Sequence, residues 1–333
     1  MKKTAATDSR TWDSAVELSH VTKYFDRRLQ TSLFHKEHSR VYALKDVSFR
    51  LEKGELAAYA GPNGAGKSTT FKILAGMLCP QEGHVRILGL DPSRDRIPAM
   101  KRVGVLFGNR TELWWDHPVS ASFAWKKEVW DIDDEAYRQA CGELKEMLDL
   151  NDFWNAFARE LSLGQRMRAD LALCMLHSPE LVLLDEPTLG LDVLAKKQMI
   201  AFLRRINREK KVTLMVTSHD MDDLSEMTDR IMLINKGELA FDGDYDSLIR
   251  MAGDRRILSV QADNDPGELP GMEKTGTEGG RYLYTYRADQ VPAGEVFAIL
   301  SRNGQITDVR MGSEPIENVI AGLYRKWKNE DKA

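Results

Sequence analysis

The stretch Gly61-Pro62-Asn63-Gly64-Ala65-Gly66-Lys67-Ser68-Thr69 fits the pattern G-x-x-x-x-G-K-[ST]. Glycines at that spacing let consecutive backbone N–H groups turn toward one anion, and Lys67 adds a compact positive charge for the β and γ oxygens of a nucleotide. The Ser68 hydroxyl suits Mg²⁺, and a helix opening here presents its positive end to phosphate. A second group follows at Leu181 to Glu186, where four apolar residues end in two carboxylates. Asp185 there would hold Mg²⁺, directly or through water, and Glu186 would orient or deprotonate the water that attacks the γ-phosphate. Each pattern also has a plainer reading: a glycine-rich turn, and a strand ending in solvated acids. Their order along one chain favours the chemistry.

Those residues need a scaffold, and the flanking patterns supply it. Glu55 to Ala60 is a short, mostly apolar strand before the loop, and STTFKILAGML after it places Phe71, Leu74, Ala75 and Leu78 on one helical face. LVLLDEP and VTLMVTSH are buried parallel-type strands, with a helix between them around Lys196 to Glu209. Strands alternating with helices imply a doubly wound α/β core. From Ser14 to Phe49 the runs VELSHVTKYF and VYALKDVSFRL read as two strands around a polar, basic insertion, residues 26–40. From about Asn109 to Glu160 the chain is rich in tryptophan, acids and helix formers, which predicts a helical insertion. Beyond Arg250 a glycine- and acid-rich interval, the β-like RYLYTYRA and a helix near Val296 predict a small α+β domain.

Composition sets the outer bounds. A chain of 333 residues should hold a large domain plus a smaller one. Its 47 basic and 51 acidic residues leave a net charge of −4, so no global basic field is present and bulk nucleic-acid binding is disfavoured. Cys79, Cys141 and Cys174 show no CxxC spacing, which argues against a disulfide framework or zinc site and fits a reducing compartment. The start MKKTAATDSRTWDS lacks the apolar stretch of a signal peptide. No apolar run approaches the ~20 residues that span a bilayer, so a membrane role would come through partners.

Between the two carboxylates and the phosphate loop stands Leu161-Ser162-Leu163-Gly164-Gln165, followed by RMRADLALCMLHSP. Here the chain resembles the ATP-binding cassette (ABC) superfamily, whose signature is usually written LSGGQ; Leu163 replaces the first glycine. The resemblance implies a P-loop NTPase cassette of α/β class: a RecA-like core, an antiparallel β subdomain and a helical signature subdomain at about 109–165, together spanning 14–249, with the α+β accessory domain at 250–333. It implies that Ser162, Gly164 and Gln165 cap the γ-phosphate of ATP held by a second cassette, so that a homodimer, or a dimer with a close paralogue, closes on two MgATP. It also implies that Phe25 stacks on adenine, that Leu191-Asp192 is the linking D-loop, and that His219 contacts the γ-phosphate. The family's glutamine after the next strand is missing: Gly108 fills that slot, and Asn109 offers an amide one residue later on a shorter arm.

FGNRTELWWDHPV, the segment around the signature and SHDMDDL resemble the ABC-2 type branch of bacterial two-component systems, mostly exporters with separately encoded permeases. The likeness covers about Val16 to Asp246, with a fainter echo in EPIENVIAGLY. It implies ATP and Mg²⁺ as ligands, two integral-membrane permease subunits as partners, and a place on the cytoplasmic face of the inner membrane. Trp114 and Trp115 fall where such cassettes receive a permease helix; filling the helical core is the equal alternative, and we expect one tryptophan in each role. The 26–40 insertion reads as a solvated loop, or as a basic contact to membrane or permease. The C-terminal domain reads as regulatory or dimer-stabilising. A soluble cassette acting on ribosomes or nucleic acid is the rival, but its usual tandem cassettes, long coiled coils and zinc modules are absent from the sequence. A P-loop kinase or GTPase would not explain LSLGQ.

Overall fold

A computed structural model describes residues 14–30, 36–108, 110–218, 220–253, 255–302, 306–314 and 316–330. The chain divides into two compact units, 1–242 and 243–333.

The first unit opens with a long hairpin of β1 (Ser14–Gln30) and β2 (Lys36–Glu52). The insertion expected at 26–40 is, where described, more of the same hairpin: pairing runs without a break from Phe25 with Val41 through Asp26 with Arg40 to Gln30 with Lys36. Backbone pairing satisfies polar groups that an open loop would leave to water, and charged residues are a common feature of sheet edges. Residues 31–35 lie outside the described residues. β3 (Leu56–Ala60) leads through the glycine-rich loop into α1 (Lys67–Leu74), and β4 (Glu82–Ile87) returns to pair with β1. The helix stops at Leu74 rather than running to Leu78.

After α2 (Arg96–Met100) and β5 (Val103–Phe107) come α3 (Val119–Val129), α4 (Asp134–Met147) and α5 (Leu163–Met175). Asp133 starts α4 by accepting from the N–H groups of Glu135 and Ala136, with Asp134 and Glu135 adding negative charge at the positive helix end. β6 (Leu181–Asp185), α6 (Val193–Lys210), β7 (Thr213–Thr217), α7 (Met221–Met227), β8 (Arg230–Asn235) and β9 (Glu238–Asp244) complete the core. The large sheet has the order β5-β6-β7-β3-β8-β9. β5, β6, β7, β3 and β8 pair in parallel, and Leu181 to Leu184 are fully buried, as a strand covered on both faces requires. A separate antiparallel sheet, β2-β1-β4, packs its inner face into the same core through Val16, Leu18, Val21, Phe49 and Leu51.

The second unit holds α8 (Tyr245–Ala252), β10 (Arg255–Ala262), β11 (Met272–Glu278), β12 (Arg281–Arg287), α9 (Ala293–Arg302), β13 (Ile306–Ser313) and α10 (Ile316–Glu330). Its sheet is antiparallel, β11-β12-β10-β13, around a core that includes Leu258, Val260, Tyr284 and Val296.

Helix α1 rests on the sheet through Phe71, fully buried and stacked at 6.5 Å on Tyr59 of β3. Replacing Phe71 with Ala should cost about 3–5 kcal/mol in guanidinium unfolding of the first unit. A loss below about 1 kcal/mol would mean that this packing does not support the helix.

Candidate functional site

In the parallel sheet, Phe107, Asp185 and Thr217 stand side by side at the carboxyl ends of β5, β6 and β7. β3 ends two strands from β6, and the glycine loop springs from it at the same edge. Loop and carboxylates therefore meet because neighbouring parallel strands end together.

Gly66 holds φ 120°, a conformation L side chains rarely adopt, and a Cβ there would stand 2.6 Å from the Ala43 carbonyl oxygen of β2. The loop is braced from outside by the Gly237 N–H, which donates to the Ala65 carbonyl at 2.8 Å, while Lys45 N–H donates to the Gly237 carbonyl. Thr70 donates to the Gly66 carbonyl at 3.2 Å, behind the loop. Asn63, Gly64 and Ser68 are exposed, Thr69 is half-buried, and Gly61 is buried. Lys67 is 6 % exposed, and its ammonium donates to the carbonyls of Gly61 (2.6 Å) and Pro62 (3.3 Å). Burial lowers its pKa, with Glu186 and Asp185 pulling the other way. A phosphate would take up that ammonium in place of the loop carbonyls.

Ser68 Oγ donates to Asp185 Oδ2 at 3.3 Å, so the two putting oxygens beside one point is a geometry that suits Mg²⁺. Mg²⁺ bound there would neutralise charge on the β and γ phosphate oxygens. The other Asp185 oxygen accepts from Thr217 Oγ1 at 2.6 Å. That hydroxyl in turn accepts from the Glu186 N–H at 3.0 Å. Thr217 is a residue that motif reading missed; its only signal is its place at the end of VTLMVTS. Glu186 itself sits at φ 55°, a left-handed conformation that costs a non-glycine residue of order 1–3 kcal/mol and clusters at functional sites.

Gly108, in the slot of the missing glutamine, donates from its N–H to the Asp185 carbonyl at 2.7 Å. A Cβ at Gly108 would lie 2.5 Å from the Asp185 oxygen and 2.7 Å from that of Glu186. The close approach of two backbones excludes any side chain here. Asn109 and His219 lie outside the described residues.

Phe25 is half-exposed on the hairpin, beside Val41, two residues before the Ala43 that abuts Gly66; the Lys23 ammonium stands 5.2 Å from its ring centre. Ser162 and Gln165 form a second group. Ser162 Oγ accepts from Gln165 N–H while Gln165 Oε1 accepts from Ser162 N–H, a reciprocal cap on α5. Gly164 faces Ala195, and Leu163 faces Gly190, which brings the signature beside Asp192, the cap of α6. Leu189, Val193 and Leu194 nearby are exposed. Among the described residues, no hydrogen bond joins this group to the phosphate loop. The expectation of one buried and one exposed tryptophan fails: Trp114 and Trp115 are 38 % and 50 % exposed. The helical core is filled instead by Phe123, packed on Trp154 at 4.7 Å.

The family model described as ABC transporter matches residues 44–189. The chain is 29 % identical over 215 residues to the ABC transporter ATP-binding protein NatA of Bacillus subtilis, covering 65 % of this chain and 87 % of that one. It is 33 % identical over 239 residues to the energy-coupling factor transporter ATP-binding protein EcfA of Methanothermobacter thermautotrophicus, covering 71 % and 76 %. Among solved structures, the ATP-binding cassette MJ0796, a dimer in a post-hydrolysis state bound to ADP and Pi, superposes with a TM-score of 0.59 at 25 % identity, covering 69 % of this chain and 98 % of that one. With its phosphate loop and carboxylates gathered at one sheet edge, this chain belongs to the ABC transporter family as an ATP-binding, ATP-hydrolysing subunit.

Proposed function

We propose that the chain powers an ABC-2 type exporter as a homodimer, or as a dimer with a close paralogue, that closes over two MgATP and drives two separately encoded integral-membrane permeases. The observation that supports the dimer is that the Ser162 cap is exposed and, among the described residues, no hydrogen bond joins it to the phosphate loop. Closing head to tail on a second copy would bring one chain's Ser162, Gly164 and Gln165, with Asp192 beside them, against the γ-phosphate on the other's loop. The helix start and glycine N–H groups suit an anion. The exposed Leu189, Val193 and Leu194 would be covered in the same step.

In each site Gly61 to Thr69 would wrap the phosphates, with Lys67 on the β and γ oxygens, Ser68 and Asp185 on Mg²⁺, and Phe25 on adenine. Glu186 would take the proton of the attacking water, and His219 would contact the γ-phosphate. Asn109 would stand in for the family glutamine. The first unit would be the nucleotide-binding domain and the second an accessory domain. Trp114 and Trp115, exposed beyond β5, would meet the permeases. Among the described residues no helix is long and apolar enough to cross a membrane, so the permeases would hold the chain at the cytoplasmic face of the inner membrane. Nucleic acid has no part in this reading.

Glu186→Gln should slow ATP hydrolysis at least about a hundredfold while keeping MgATP binding. Light scattering should then show the mutant at twice the monomer mass with MgATP; a mutant that binds MgATP yet stays monomeric would sink the dimer. Trp114→Ala with Trp115→Ala should abolish co-purification with co-expressed permeases while the isolated subunit keeps its ATPase rate within about twofold. Undiminished co-purification would place the permease contact elsewhere.

A further inference from the structure

Helix α5 carries a buried acid that none of the roles above uses. Asp170 lies about two turns beyond the Ser162 cap and is 5 % exposed. Its Oδ1 accepts from Thr111 Oγ1 at 2.9 Å and from the Glu112 N–H at 3.1 Å. Both donors belong to the segment that leaves β5. The near end of that segment is tied to the core, where Gly108 N–H donates to the Asp185 carbonyl at 2.7 Å. Its far end is tied to α3: Lys126, itself buried, donates to Glu112 Oε2 at 2.5 Å, and Ser122 Oγ accepts from the Trp114 N–H at 2.9 Å. Further along the chain, the Arg166 guanidinium of α5 stands 5.5 Å from the centre of the exposed Trp115 ring. A cavity of about 220 Å³ lies beneath, lined by Gly108, Arg110, Thr111, Arg166 and Asp170 among others.

A carboxylate buried this far is costly unless its bonds need the charge. An apolar or amide side chain would fill the same place on α5 without that cost. We propose that Asp170 is a positioning residue for ATP hydrolysis: its carboxylate fastens Thr111 and Glu112 to the helix that begins at Ser162, and these residues are tied back to the site by Arg110 N–H on the Phe107 carbonyl and Gly108 N–H on the Asp185 carbonyl. Movement of α5 is then passed to the chain beside Asp185 and Glu186 through two charge-assisted bonds rather than through loose packing. The inference depends on ATP hydrolysis by this family and not on the exporter reading, so either can fail alone.

Burial pushes the Asp170 pKa up to about 6, against the bonds from Thr111 and Glu112. The Glu112 charge raises it further and Arg166 lowers it. Arg110 lines the same cavity, Cys174 near the end of α5 interacts electrostatically with both Asp170 and Lys126 of α3, and His177, just beyond that helix, interacts with Lys126. The Cys174 thiol is pushed up to about 12 by burial, and His177 is held down to about 4 by burial and Lys126, so both stay neutral from pH 5.5 to pH 8. Because the folded pKa lies above the usual 3.8, the unfolded chain ionises first: stability falls as pH rises from the usual 3.8 to about 6 and is level above that, while ionisation of the folded carboxyl near pH 6 strengthens its two bonds.

Asp170→Asn keeps the acceptor oxygen and cannot ionise, so it should match the wild type at low pH and fall behind at high pH. The expected ratio of wild-type to mutant kcat is near 1 at about pH 5.5, and rises about three- to tenfold by about pH 8, with a midpoint near pH 6. KM for MgATP should stay within about twofold, and the mutant's Tm above pH 7 should equal or exceed that of the wild type. Asp170→Ala should lose kcat across the whole range, with Asn restoring most of it below pH 6. Thr111→Val removes one donor and should add little to Asp170→Asn in a double-mutant cycle. A ratio that does not change with pH, an Asp170→Ala enzyme with wild-type kcat, or losses of kcat that merely follow losses of Tm would each overturn the proposal.

Discussion

The Thr217 hydroxyl gives its one proton to Asp185 and accepts another from the Glu186 backbone, and the rest of the site is arranged around that pair of bonds. It fixes which Asp185 oxygen remains for Ser68 and a divalent ion, and it helps hold Glu186 in a left-handed conformation that it would otherwise leave. The bonds exist because β6 and β7 are parallel neighbours in register, Asp185 beside Thr217. Sheet order thus decides side-chain chemistry: a strand of another register would turn the hydroxyl to the opposite face.

Charge is handled in two ways in this unit. Lys67 is buried, hydrogen-bonded to the Gly61 and Pro62 carbonyls rather than to a carboxylate among the described residues, a state that leaves its ammonium ready for anionic oxygens. Lys126 is buried with a carboxylate partner, Glu112, and Asp170 is buried with two donors. The first arrangement suits a group that must exchange partners during a cycle. The second suits groups that must keep theirs, because removing one member leaves an uncompensated charge in a low-dielectric setting.

Gly108 shows how a departure from a family pattern can be structural rather than degenerate. Its N–H donates to the Asp185 carbonyl, and the carbonyl oxygens of Asp185 and Glu186 stand 2.5 and 2.7 Å from where a Cβ would be. Any amide serving the site must therefore come from a neighbouring position.

The local patterns of the chain carried much of this molecule. The glycine loop, the apolar run to Asp185 and Glu186, the alternation of strands and helices and the LSLGQ stretch are all written within a few residues, because phosphate cradles and buried strands are short-range devices. The hairpin continuing through 26–30 and 36–40 was less legible, since a run of charged residues carries the same local signal in a strand as in a loop. Thr217 and Asp170 were not legible at all: their partners lie 32 and 59 positions away, and no residue pattern reports contacts that only folding brings together. Sequence alone pointed to the residues that suit phosphate and to most of the strands and helices around them, because those signals are local. Tertiary structure alone decided which hydroxyl holds Asp185, which backbone excludes a side chain at Gly108 and which acid fastens α5, because those depend on strand register and on the desolvation of groups far apart in the chain.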